Sequence, residues 1–127
     1  MIVVTNRLRV AADRAQEFES RFEQRARRAQ DAEGFIRLEI LRPIHRVKVD
    51  GRWGTSPAAE DALDYEVRSY WQSVEAFDRW TASEAFARTH ERVLDDRGHA
   101  SADRLPPGLL LARPIIGFHE IILQEAP

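Results

Sequence analysis

From residue 2 to residue 10 the chain alternates. Ile2, Val4, Asn6, Leu8 and Val10 share one face, and Thr5, Arg7 and Arg9 share the other, the two-residue period of a half-buried strand. Over 12–31 the period becomes helical, with Ala15, Phe18, Phe22, Ala26 and Ala29 on one stripe and charged residues around them. Gly34 stands where a helical C-terminal stop is expected. A second strand is predicted over 35–42, where Ile36, Leu38 and Ile40 alternate with Arg37 and Glu39. Residues 43–61 carry Pro43, Gly51, Gly54 and Pro57 and read as a long excursion with a short hairpin across VDGRW. The third strand, 62–71, sets Leu63, Tyr65, Val67, Ser69 and Trp71 against Asp64, Glu66, Arg68 and Tyr70. Ser73 is a cap for a short helix ending near Trp80, and Ser83 for another running to Leu94, with Ala82, Phe86, Thr89 and Val93 as its inner stripe. A loop over 95–110, broken by Pro106-Pro107-Gly108, leads to a last strand over 112–123. That strand is apolar on both faces, the pattern of one covered on both sides.

The order β-α-β-β-α-β is the ferredoxin-like α+β arrangement, one antiparallel sheet with helices on a single face. The whole of 1–127 reads as one domain without internal repeats. The helix-free face, taken as apolar around Ile116, Phe118 and Ile122, needs a partner, so a homodimer packing sheet on sheet, a dimeric α+β barrel, is expected.

Composition narrows the chemistry. There is no cysteine, which excludes disulfides, thiolate metal sites and Cys nucleophiles. Metal ligation falls to His45, His90, His99 and His119 or to carboxylates. The net charge is −2 and basic residues are interleaved with acidic ones, as in ADRAQEFESRFEQRARR, which argues against a nucleic-acid partner. No apolar run is long enough to cross a membrane and MIVVTNRLRV lacks the form of a signal peptide, so a cytoplasmic protein is expected.

Asn6 is the sharpest anomaly, an amide on an otherwise apolar strand face. Unpartnered and buried, it would cost roughly 1–3 kcal/mol, so it bonds either to protein or to something bound. His90 flanks the inner stripe of the last helix, where it is either structural or a ligand to one metal or haem iron. Trp71 and Trp80 suit a core or an interface. Trp80, between the two short helices and near Phe77 and Phe86, also makes an aromatic wall for a flat apolar ligand. His45, His99 and His119 are weaker candidates, although His119 could face the core. No histidine pair has the helical spacing of a zinc site, and no G-x-S-x-G, P-loop or G-x-G-x-x-G is present.

The string YWQSVEAFDRWTASEAFARTH resembles the signature of the antibiotic biosynthesis monooxygenase superfamily, in which W-x-S-x-E-A-F-x-x-W follows the third strand. Within it the chain is similar to the IsdG-type haem-degrading oxygenases. These have an asparagine in N-R-L on the first strand, a tryptophan ending the first short helix and a histidine ten residues later, matched by Asn6, Trp80 and His90. AEGFIRLEILRP extends the similarity, while the 43–61 segment is longer than the family pattern.

The resemblance implies haem, both cofactor and substrate, in a cleft between the sheet and the second helical region. His90 would be the proximal iron ligand, with Phe22 and Arg25 as further haem-binding residues. Asn6 would donate a hydrogen bond on the distal side, and Trp80 would press on the porphyrin. A single imidazole leaves the opposite iron position for dioxygen. Electrons would come from an external donor, since the chain has no cysteine, flavin or nicotinamide fingerprint. Two alternatives stand beside this reading. One is a cofactor-independent oxygenase of quinol-like aromatics, for which His90 is dispensable. The other is a haem carrier or sensor without turnover.

Overall fold

The structure is a computed structural model that describes residues 1–56, 61–83, 86 and 106–127, with the backbone alone for 25–28. Strand β1 (Ile2–Ala11) is followed by one 3-10 turn and helix α1 (Ala15–Arg28). Then come β2 (Phe35–Leu41), β3 (Arg46–Val49), β4 (Arg52–Thr55), β5 (Ala62–Trp71), helix α2 (Val74–Thr81) and β6 (Ile115–Glu120). The main sheet is antiparallel with the order β2-β5-β1-β6, and β3 and β4 pair separately. The α+β class and the antiparallel sheet are as the hydrophobic pattern predicts. The last predicted helix, toward Leu94, lies outside the described residues, although its Ser83 cap is visible: Ser83 Oγ accepts from the Phe86 N–H at 3.1 Å.

The register of β1 on β5 sets Ile2, Val4, Leu8 and Val10 opposite Trp71, Ser69, Tyr65 and Leu63, so these positions share one face. Two core clusters cover that face. At one end Phe18 of α1 packs with Leu8, Val10, Tyr65, Val67 and Leu109. At the other, Ala76 of α2 packs with Ile2, Val4 and Trp71. Tyr65 donates its hydroxyl to Glu19 Oε2 at 2.6 Å, and the Arg42 guanidinium closes on the same carboxylate. The Arg42 hydrogen bond, followed by the Tyr65 hydrogen bond, holds the Glu19 carboxyl below its ordinary range, and burial pushes the Tyr65 phenol up.

Several expectations are corrected. Helix α1 ends at Arg28, short of residue 31, and Gly34 is not its cap. Gly34 has φ +83° and lies where the chain passes beneath α2, its carbonyl accepting from Gln72 N at 2.8 Å. A bulge between Phe35 and Arg37 puts Phe35, not Ile36, into the inward set with Leu38 and Ile40; Ile36 is exposed. The excursion does form the VDGRW hairpin, its turn made by Asp50 and Gly51, both at positive φ as a type I′ turn requires. The 95–110 segment ends as more than loop, because Leu109 is fully buried in the core and Leu110 bridges to Val10.

The last strand is shorter than 112–123 and is not covered on both sides. It starts just after Pro114, which has no N–H to give, and ends where β1 runs out, Ile121 N bonding to Met1 O. It is an edge strand with Ile115 and Ile116 exposed in the single chain. Ile116 and Phe118 lie opposite Asn6 and Val4, so they belong to the helix side and not to the helix-free face. Phe118 accordingly meets Phe77 of α2, ring centroids 5.3 Å apart. His119, opposite Val3, faces away from the core and is exposed.

Candidate functional site

Val4 belongs to the cluster under α2 and Leu8 to the cluster under α1. The residue midway between them on the same face is Asn6. A helix covers the sheet on either side of this level, and between them is a cavity of about 190 Å³. Its floor is the sheet: Val4, Asn6, Leu38, Val67, Ser69, Trp71 and Ile116. Phe22 and Ala29 wall it on one side, and Phe77, Trp80, Thr81 and Phe86 on the other.

Asn6 is flanked by Val67 on β5 and Ile116 on β6. Its Oδ1 is fully buried with no hydrogen-bond partner among the described residues. Buried polar atoms nearly always find protein or water partners, and leaving one unmade costs about 1–3 kcal/mol. Of the two readings of Asn6, the satisfied core amide is therefore the one its surroundings do not support. The amide faces a space where a ligand can sit.

The aromatic wall is built from two groups of ring contacts. Trp71 stands edge-on to Phe35 and Phe77 at 5.3 and 5.6 Å, and Trp80 edge-on to Phe86 at 5.8 Å. Ser73 fixes this wall by capping α2, its Oγ accepting from Ala76 N at 3.1 Å. Trp80 also borders a polar hollow on its far side, shared with Asp31, Glu33, Arg79 and Ser83.

None of the described lining residues is ionisable. They offer no general base, no charged nucleophile and no metal cluster, for among the described residues no three His, Asp or Glu converge. What they offer is a dry, flat, aromatic space with Asn6 and Ser69 at its floor. Such a site binds and orients, and its ligand or a residue outside this set must supply the reactive electrons.

Asn6, Trp80 and Phe22 are thus brought to one cavity. Arg25 is carried on α1 with its side chain outside the description, and His90 and His99 lie outside the described residues. His45, at positive φ, faces Ser56 Oγ at 3.2 Å, away from this cavity's lining. Ser69 and Thr81 were not singled out from the sequence. Ser69 carries the same signal as Asn6, a polar residue on the inward face of its strand.

Residues 1–92 match the family model described as antibiotic biosynthesis monooxygenase. A curated relative, the staphylobilin-producing haem oxygenase of Staphylococcus haemolyticus, is 29% identical over 91 residues, covering 72% of this chain and 74% of its own. Among solved structures the fold is similar to the haem degrader MhuD of Mycobacterium tuberculosis with two haems bound in its active site. The identity is 26%, the coverage 99% of this chain and 100% of that one, and the TM-score 0.64. SnoaB of Streptomyces nogalater, a cofactor-independent oxygenase, is 18% identical over 97% of this chain and 94% of its own, with a TM-score of 0.59. At that identity the likeness bears on the fold alone.

Proposed function

The chain belongs to the antibiotic biosynthesis monooxygenase family, and on that premise we propose that it is an enzyme that opens haem oxidatively and releases its iron. The observation that carries the proposal is an aromatic cavity floored by Asn6, an amide whose buried Oδ1 has no hydrogen-bond partner among the described residues. The haem-degrading activities of the staphylococcal and mycobacterial relatives support the same reading.

Haem is the substrate here, and when bound it supplies the redox chemistry with dioxygen and electrons from an external donor. The chain's own residues bind and orient it. His90 would hold the iron, Trp80 would bear on the macrocycle, and Phe22 would pack against it from α1. Arg25 on the same helix suits a propionate carboxylate. The Asn6 amide would supply a hydrogen-bond donor to the bound ligand, where a fixed donor stabilises developing negative charge. The cavity is smaller than the roughly 300–1,000 Å³ of pockets that enclose a whole ligand. A porphyrin therefore lies partly inside it and extends beyond the walls named above. We also assign the protein as a homodimer in which the exposed edge of β6 meets a second copy.

The small cavity favours one second reading, a cofactor-independent oxygenase acting on a quinol-like aromatic that fits inside it. Titration with hemin separates the two. The haem reading expects a shifted Soret band that saturates, and His90→Ala is expected to lose it with the melting curve preserved. No shift in the parent protein discards the haem reading, and an unchanged band in His90→Ala removes that residue as ligand.

A further inference from the structure

The hairpin of β3 and β4 stands apart from the main sheet, its strands pairing only with each other. A lone two-stranded hairpin is marginally stable in water, so it gains from a surface to pack against. Lys48 and Trp53 are cross-strand partners and therefore share a face, and Arg46 lies two residues along on that face. The Arg46 guanidinium stands 4.2 Å and the Lys48 ammonium 5.3 Å from the Trp53 ring centroid, yet Trp53 remains 62% exposed. Val47, on the reverse face, is half-buried, so the face with Trp53 is the one turned outward. Arg52 adds a third cation, and Asp50 in the turn is the single acid of the hairpin. Among the described residues no carboxylate pairs with any of the three cations.

Strand β6 carries the complementary pattern. Ile116, Phe118 and Glu120 lie opposite Asn6, Val4 and Ile2, which makes them a stripe on the helix side of an open sheet edge. Ile116 is 55% exposed, Phe118 47%, and Glu120 is exposed as well. From residue 115 to residue 127 the chain has Glu120 and Glu125 and neither lysine nor arginine. An apolar stripe ending in a carboxylate thus matches an indole flanked by cations, both in polarity and in sign of charge. Within one chain the two are held apart. The hairpin follows β2, and β2 is three strand spacings, about 14 Å, from β6.

We propose that the β3–β4 hairpin is the docking arm of a two-fold dimer. The partner's Trp53 lies on Ile116 and Phe118, and the partner's Arg46 and the partner's Lys48 face Glu120. The contact is reciprocal, each copy giving its hairpin and receiving the other's. Ile116 also lines the cavity, so the docked hairpin borders the site at its β6 rim. The inference rests on the homodimer assigned above and specifies the surfaces that form it.

The full chain is tested by charge reversal, which touches only exposed side chains. Arg46→Glu with Lys48→Glu reverses the hairpin, and Glu120→Lys with Glu125→Lys reverses the strand. In sedimentation at low salt each double variant is expected to dimerise more weakly than the parent, by about tenfold or more, because like charges then face each other. Mixed together, the two variants are expected to form a heterodimer of near-parent affinity, since each hairpin then meets a strand of opposite sign. The cysteine-free sequence allows a second measurement that does not depend on these variants folding. Lys48→Cys protein mixed with Glu120→Cys protein is expected to give a mixed covalent dimer with a short bismaleimide. A parent that sediments as a monomer overturns the homodimer and this inference with it. A parent dimer whose mixed cysteine variants do not cross-link, or whose reversed variants gain nothing on mixing, keeps the homodimer and overturns the hairpin as its arm.

Discussion

Asn6 keeps a buried amide oxygen without a partner among the described residues, a cost of about 1–3 kcal/mol. Asn6→Leu removes that cost and matches the Val67 and Ile116 flanks. The variant is expected to melt a few degrees higher than the parent while losing bound haem more slowly under oxygen and reductant. A lower melting point would mean that Asn6 holds the fold and not a ligand. Asn6 was legible in the sequence because the alternation around it is clean, so one amide among Ile2, Val4, Leu8 and Val10 stands out. Ser69 broke its own strand's pattern in the same way. What the period does not encode is the hydrogen bond that Trp71, two residues on, donates to Ser69 Oγ.

Among the elements, α2 carries Phe77, Trp80 and Thr81 of the cavity wall, and its seat is Gly34. A Cβ there would come within 2.5 Å of Ala76 Cβ, at a φ of +83° that side chains rarely adopt. Overpacking of this kind costs about 1–3 kcal/mol and the left-handed backbone about 1–2 more. Gly34→Ala is therefore expected to destabilise by about 2–5 kcal/mol and to weaken haem uptake by displacing Phe77 and Trp80. Gly51→Ala is the control: φ is +75° but nothing lies within 4 Å, so only the backbone cost applies. Equal losses in chemical denaturation would refute the contact at Ala76. The element types were readable from their periods, whereas their ends and faces were not. Strand β6 is apolar on both faces, so its period carried no orientation. Only the register, Ile116 opposite Asn6, shows which side faces the helices. The bulge at Phe35–Arg37 likewise moved Ile36 out of the inward set, because one extra residue reverses the faces.

For the whole molecule, the helix-free face of the sheet is more polar than the strand pattern implied, with Tyr70 covered by Arg37 at 3.9 Å and bonded to Glu39 at 2.8 Å. Exposed apolar residues lie around the β3–β4 hairpin (Ile44, Val49, Trp53) and also at β6 and just after it, where Ile115 is 67% exposed, Ile122 93% and Leu123 72%. An open edge strand beside such residues invites a second copy. Sedimentation is expected to give a dimer at micromolar concentration, and a stable 14.6 kDa monomer would contradict that assignment. The central claim is that a cavity made of binding and orienting groups serves the oxidative opening of haem. It is tested most directly by following the hemin complex aerobically with ascorbate while a ferrous chelator reports released iron. The Soret band is expected to bleach with iron released in step, and a bound haem that persists under excess reductant would contradict the claim.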